Sequence, residues 1–322
     1  MGVKGLAAFL RKRCAGAFAP VTLHDFKNKT IAVDASVLAY KFAYYRKHAD
    51  SAAELVSAFL SHYKRWTRYY SIQCIYVFDG PRRVAKGYES ARRQTKHLKA
   101  ITSTTPATAF IHTTASVHTT EDITQTPTTT EVATLQTATT TMPTMLVDAI
   151  MGDPNFFTVV AAPPKPPLRV LETDFVSIRN AFRSAGVPFY VAPADAERTC
   201  AWLTLVGAAD VVMSEDYDCL PCGASIVLRN ACASHLAPEV VYLDRVLEAL
   251  RMTREQFVDM CILSGCDFTP YLPNMGPATA YKSIQKYGTI ETYFEQTKQS
   301  HPEFDYVEAR RCFLSGGEVN IE

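Results

Sequence analysis

Two short apolar runs, each closed by an aspartate, constrain this chain most: IAVD, ending at Asp34, and IYVFD, ending at Asp79. Apolar runs of this length without alternation are strands covered on both faces, as in a parallel sheet. Acid at the carboxyl end of such strands is poorly placed for solubility and well placed to line a crevice, where ligand sites of open parallel sheets form. Further acids stand in APADAE (Asp195, Glu197), MSEDYDCL (Asp216, Asp218) and LSGCDF (Asp267), and most of these pieces look like strand ends. Seven carboxylates gathered in one crevice require cations. Ligation by oxygen alone selects hard ions such as Mg²⁺ or Mn²⁺, the metals of phosphodiester hydrolysis.

The charge distribution agrees. Residues 1–99 hold 19 Lys and Arg against 6 Asp and Glu, and the remainder holds 14 against 26. A basic part suits a polyanionic partner and an acidic part suits metal ligation. No apolar run is long enough to span a bilayer, and the start MGVKGLAAFLRKR has too short an apolar stretch for a secretory signal. The expectation is a soluble, intracellular protein. The nine cysteines have no regular spacing, so they are expected to be reduced and mostly packed. The lone CxxC of Cys219 and Cys222 lacks the second ligand pair that zinc requires.

Along the chain, strands are predicted at Lys29–Asp34, Cys74–Phe78, Phe189–Val191, Asp210–Met213, Ser225–Leu228 and Val240–Leu243. Leu55, Phe59, Tyr63, Trp66 and Tyr70 recur at helical spacing, with Lys64, Arg65 and Arg68 on the other side. Phe175, Ile178 and Phe182 mark a helix ending at Gly186, and another helix follows Pro193. Asp244 is the expected cap of the helix DRVLEAL. Helices are also expected over Arg254–Ser264, Pro277–Tyr287 and Tyr306–Leu314. From Ala100 to Pro164 there is no Lys or Arg, and Thr dominates. Such a tract buries too little apolar area to offset its ordering entropy. It reads as a disordered insertion over about 101–145, with a short helix near Met145–Met151 and a stiff Pro-rich linker at 162–167. The chain divides into an amino-terminal α/β region at 1–100, the insertion and linker at 101–165, an internal α/β region at 166–250 and a helical part at 251–322.

MGVKGLAAFL, IAVDASVLAYKF, YVFDGPRRVAKGYESARR, VPFYVAPADAERTCA, VVMSEDYDCLPCGA and EQFVDMCILSGCDFTPYLPNMGPATAYKSIQKYGTIE, in this order, resemble the flap endonuclease (XPG-like) family of structure-specific 5′ nucleases. The resemblance covers about 1–99 and 168–315. It implies an α/β, PIN-like fold: a mostly parallel twisted sheet flanked by helices, with a helix–two-turn–helix DNA-binding element and the Thr-rich insertion at the arch. By the same resemblance Asp34, Asp79, Asp195 and Glu197 hold a first metal, and Asp216, Asp218 and Asp267 a second. The family usually has Glu where this chain has Asp195, one methylene shorter, which implies altered metal affinity. Lys86 and Arg93 match the basic residues that the arch points at the scissile phosphate. Seven residues apart on a helix, they share a face about 10 Å apart along the axis.

Tyr40 matches an aromatic that stacks on a base near the cut, and equally reads as a core tyrosine. Gly2 matches a residue that lies near the site as the amino terminus. Asn274, Gly276 and Pro277 resemble the turn whose carbonyls, here those of Tyr271, Leu272 and Met275, hold K⁺ and whose amides meet a phosphate, with Lys282 and Lys286 on the helix beyond. Ala278 and Thr279 stand where the family often has basic residues.

The implied activity is two-metal hydrolysis at 5′-flap or branched DNA junctions, with RNA substrates open and a nuclear location suggested by DNA. The alternatives are a catalytically weakened nucleic-acid-binding member, a 5′ exonuclease and an RNA-cleaving relative. No sliding-clamp docking motif is found.

Overall fold

Residues 2–45, 52–81, 170–232, 236–315 and 317–319 are described by a computed structural model. The basic stretch after Arg82, the Thr-rich tract, its expected short helix and the Pro-rich linker lie outside them. The sheet has seven strands: β1 (Phe18–Pro20), β2 (Thr30–Asp34), β3 (Gln73–Phe78), β4 (Phe189–Val191), β5 (Val211–Met213), β6 (Ile226–Arg229) and β7 (Glu239–Tyr242). Their order is β1-β7-β6-β5-β2-β3-β4. β6, β5, β2, β3 and β4 are mutually parallel, while at one side β7 runs antiparallel to both β6 and β1.

Side chains on a strand alternate between faces, and β2 feeds both layers. Ala32 joins one buried cluster with Val77, Val212, Val227 and Val241. Ile31 and Val33 join the other, with Tyr76, Phe78, Val211 and Met213. On the second face lie α2 (Ala35–Tyr45), α3 (Ala52–Tyr69) and α4 (Glu172–Ala185). Leu55, Phe59 and Trp66 of α3 are buried, as their spacing requires, and Ala58 and His62 join them. Gly186 ends α4 in the left-handed conformation (φ 64°) that glycine tolerates best.

On the first face lie α1 (Leu6–Arg13), α5 (Ala196–Leu205), α6 (Leu243–Leu250) and α7 (Arg254–Ser264), followed by α8 (Pro277–Tyr287), α9 (Ile290–Thr297) and α10 (Tyr306–Leu314). Every residue from Phe257 to Ser264 is buried, so beyond its first turn α7 is a core helix. Thr253 and Gln256 start it with a reciprocal capping box. Asp244 is not a cap: α6 begins at Leu243 after the extended Tyr242, and the Asp244 carboxylate accepts from the Arg245 amide inside the first turn. There it still favours the helix amino terminus electrostatically. The acid pieces are also not all strand ends, since Asp267 follows α7.

From β2 the chain moves outward to β3 and β4, then returns to the other side of β2 for β5 and β6. The carboxyl ends of β2 and β5 are therefore adjacent strand ends whose connections leave in opposite directions, which opens a crevice.

Candidate active site

Asp34 is the last residue of β2, and α2 begins at the next position. Its carboxylate is buried. Oδ1 accepts from the Val37 amide in the first turn of α2 (3.1 Å), and Oδ2 accepts from the Ser214 hydroxyl (3.0 Å) just beyond β5. Ser214 Oγ in turn accepts from the Asp216 amide (3.1 Å). One hydroxyl thus laces together the two strand ends that frame the crevice. Burial, then the neighbouring Asp79 and Asp216 charges, push the Asp34 carboxyl up to about 7. A cation in the crevice would relieve that penalty.

Asp79 follows β3. Its Oδ1 accepts from the Ala196 amide (2.8 Å) at the start of α5, where helix amides and the helix dipole favour an anion. Asp195 precedes α5 and Glu197 lies in its first turn. Oxygens of Asp79, Asp195 and Glu197 lie within 4.8 Å of one another, the one set of three so grouped among the described residues. The backbones beneath are in close contact. The Gly80 amide donates to the Ala194 carbonyl (2.6 Å), and a Cβ on Gly80 would stand 1.8 Å from the Ala192 oxygen. Only glycine fits there.

Asp216 and Asp218 occupy the loop after β5 and its single 3₁₀ turn at Tyr217–Cys219. Asp216 Oδ1 accepts from the Asp218 amide (3.2 Å), and Asp218 Oδ1 accepts from the Val3 amide (2.7 Å). Gly2, at φ 89°, is pressed against both, and a Cβ there would lie 2.4 Å from Asp218 Oδ1 and 2.5 Å from Asp216 Oδ1. Asp267 is buried in the loop after α7. Asp216, Asp218 and Asp267 do not close to the spacing of the first set.

Buried thiols form the floor that links the two groups. Cys222 feels Glu197, Asp218 and Asp195, while Cys200 feels Asp34, Glu197 and Asp79. Burial, with these acids, pushes the thiols of Cys200, Cys219 and Cys222 well up, so they stay neutral and unreactive. The grouped donors of Asp79, Asp195 and Glu197 are then all carboxylate oxygens, a set suited to hard divalent cations.

The amino-terminal segment runs from this site toward the turn before α8. The Lys4 amide donates to the Gly265 carbonyl (3.0 Å), and a Cβ on Gly5 would lie 3.5 Å from Pro277. In that turn Asn274 has φ 55°, Gly276 is the amino cap and Pro277 opens the helix. The Met275 amide donates to the Leu272 carbonyl (3.4 Å). Asn274, Lys282 and Lys286 are exposed. Tyr40 is 45% exposed on α2, which rules out the core reading. Lys86 and Arg93 lie outside the described residues.

Sequence reasoning missed Ser214 and the role of Glu215, which stands between two site residues and pairs with Lys41. The signal for Ser214 was its place two residues before an acid, a spacing at which a hydroxyl meets a backbone amide.

Two family models match the chain: the XPG N-terminal domain over residues 1–100 and the XPG I-region over 186–267. The chain is 28% identical to flap endonuclease 1 of Leishmania braziliensis, over 98% of this chain and 73% of that one. It is 29% identical to flap endonuclease 1 of Ostreococcus lucimarinus, over 97% and 73%. Among solved structures, the catalytic core of Rad2 in complex with DNA substrate superposes with a TM-score of 0.60 at 17% identity, over 97% of this chain and 86% of that one. Flap endonuclease-1 from Methanococcus jannaschii gives 0.57 at 19%, over 92% and 81%. Human GEN1 with Holliday junction DNA gives 0.59 at 17%, over 100% and 68%. At these identities the structural likeness speaks for the fold.

Proposed function

Since the chain belongs to the XPG family of flap-endonuclease-like proteins, we propose that it is a structure-specific 5′ nuclease that hydrolyses phosphodiester bonds at flapped or branched DNA junctions. The observation that carries this reading is the acid crevice. Asp34 and Asp79 come from strand ends before the Thr-rich tract, and Asp195, Glu197, Asp216 and Asp218 from elements after it. An idle site has no physical reason to keep buried acids together.

The proposed cofactor is a pair of Mg²⁺ ions, with Mn²⁺ as a substitute. Asp34, Asp79, Asp195 and Glu197 would hold one, and Asp216, Asp218 and Asp267 the other. When bound, such ions supply Lewis acidity and a water of lowered pKa. The chain itself supplies orientation. Ser214 and the Val37 amide fix the Asp34 carboxylate, the Ala196 amide fixes Asp79, and the Val3 amide fixes Asp218. Lys86 and Arg93 are proposed to neutralise charge building on the phosphate. The exposed Tyr40 ring is available to stack on an unpaired base.

Behind the site, the opening turn of α8 offers amides to a duplex phosphate. The carbonyls of Tyr271, Leu272 and Met275 are proposed for K⁺, and Lys282 and Lys286 for the backbone beyond. DNA junctions as substrates favour a nuclear site of action. Among the described residues, no helix is long and apolar enough to cross a membrane.

The test is cleavage of 5′-flap, nicked, blunt and single-stranded DNA, with matched RNA, in Mg²⁺. Flap cleavage is expected near the junction. Asp79→Ala or Asp216→Ala is expected to lose at least about 100-fold in rate while duplex affinity in Ca²⁺ stays within about 2-fold. Duplex binding without cleavage of any substrate would overturn the nuclease reading.

A further inference from the structure

Three of the four residues at 215–218 are acids, yet they are held by different partners. Glu215 is held in a largely buried ionic network. Its carboxylate pairs with Lys41 of α2 and accepts from the Asn230 amide (3.0 Å). Arg229, at the end of β6, then spans Asp216. Its Nη2 donates to the Glu215 carbonyl (3.1 Å), and its Nη1 donates to the Tyr217 hydroxyl (2.5 Å). The guanidinium also lies 4.1 Å from the centre of the Tyr217 ring. Glu239 holds Arg229 from β7 (3.3 Å). The side chains of Lys41 and Arg229 are only 11% and 14% exposed.

We propose that Arg229 and Lys41 are positioning residues for the metal-binding loop. By gripping the residues on either side of Asp216, they turn its carboxylate into the crevice. The inference rests on the two-cation reading above.

The geometry gives the reason. Asp216 is extended and leads into the 3₁₀ turn at Tyr217–Cys219, so the backbone on either side sets where its carboxylate points. Lys41 and Arg229 hold Glu215, and Arg229 also holds Tyr217, which fixes that backbone. A loop of three neighbouring acids would otherwise splay, because each carboxylate repels the next. Lys41 neutralises one of those charges. It also belongs to the helix that begins beside Asp34, so a single element fixes Asp34 at its start and Glu215 two turns on. Arg229, Glu215, Asp216 and Tyr217 line one open cavity of about 540 Å³, together with Gly2 and Tyr271. Arginine suits this place because its planar fork donates in several directions at once, which lysine cannot do. The pairing is mostly buried, so its geometry is held against screening by salt.

The experiment measures Mn²⁺ binding to the full chain by electron paramagnetic resonance without DNA. Flap cleavage is measured alongside as a function of Mg²⁺ concentration, and flap affinity in Ca²⁺. Partners that orient metal ligands typically contribute 10–100-fold in metal affinity. Arg229→Lys and Lys41→Met are therefore expected to weaken Mn²⁺ binding by about 10-fold or more. The Mg²⁺ needed for half-maximal cleavage should rise in parallel, with flap affinity within about 2-fold of wild type. Lys41→Arg keeps the charge and should restore binding. Glu215→Gln, which keeps the shape, guards against a variant that fails to fold and should weaken Mn²⁺ binding by at least about 3-fold.

Folded variants with wild-type Mn²⁺ affinity overturn the proposal, as does a loss confined to DNA affinity. If wild-type protein cuts nothing but the variants still lose Mn²⁺, the clamp stands and the nuclease reading falls. If wild type cuts and the variants bind Mn²⁺ normally, the reverse holds. A wild-type chain that binds no Mn²⁺ overturns both.

Discussion

At Asp34 a carboxyl at the centre of the crevice takes two hydrogen bonds and still has its pKa pushed up to about 7 by burial and by Asp79 and Asp216. An unfolded aspartate titrates near 3.9. Without metal, the folded chain therefore binds a proton that the unfolded chain has released. That contribution is fully present below about pH 4 and is lost as the pH rises through about 7. In EDTA, the melting temperature of Asp34→Asn relative to wild type should rise steadily between pH 4 and 7.5. The same variant should be inactive with Mg²⁺.

Gly2 gives a second test at this scale. A methyl group there would occupy the space of two carboxylate oxygens. Gly2→Ala should slow cleavage on the order of 100-fold, as displacements near 1 Å do, and should weaken Mn²⁺ binding in the DNA-free protein. The acids themselves were legible because each ends an apolar run or sits in a dense acidic motif. The ties of Glu215 to Lys41 and Arg229 were not legible, because these partners come from elements distant in sequence.

Among the elements, the central strands and α7, α8 and α10 follow from apolar runs, helical spacing and caps. β1 escaped notice because it is three residues long and ends in Pro20, a residue confined to sheet edges. Its pairing with β7 is a tertiary choice. α9 is also short and stands on a Thr289 cap, and its packing depends on Tyr293. The helical part is tied by one guanidinium. Arg310 of α10 donates to both oxygens of the buried Asp259 on α7 (2.6 Å each) and pairs with Glu291 of α9. Asp259 also accepts from the Ile290 amide (3.2 Å). Burial pushes the Asp259 carboxyl up despite Arg310, so losing the partner is costly. Arg310→Ala should destabilise the chain by about 3–5 kcal/mol in urea unfolding. Asp259→Asn with Arg310→Met should recover part of that, because no charge is then left buried and unpaired.

For the molecule as a whole, the parallel sheet and its crevice were readable from the order of acidic strand ends, and the family models match on both sides of the Thr-rich tract. The sheet pairs β3 directly with β4, Tyr76 opposite Phe189, across that tract. A chain with residues 104–165 replaced by a flexible Gly-Ser linker should keep its melting temperature within about 4 °C, a shift that corresponds to roughly 1 kcal/mol or less. Comparing its cleavage of flaps and of nicked duplexes with that of the intact chain then measures what the tract contributes to substrate choice.

The strand order also sets a sequence of events during synthesis. β2 is the middle of the five parallel strands, yet its neighbour β5 is made some 180 residues later, Ile31 pairing with Val211. Asp34 cannot meet Ser214 before then, and Val3 must wait for Asp218. A ribosome-bound chain that has not yet released residue 218 carries every amino-terminal acid and no assembled centre. The centre can come together only after that point, and chains broken off before residue 218 are expected to be inert.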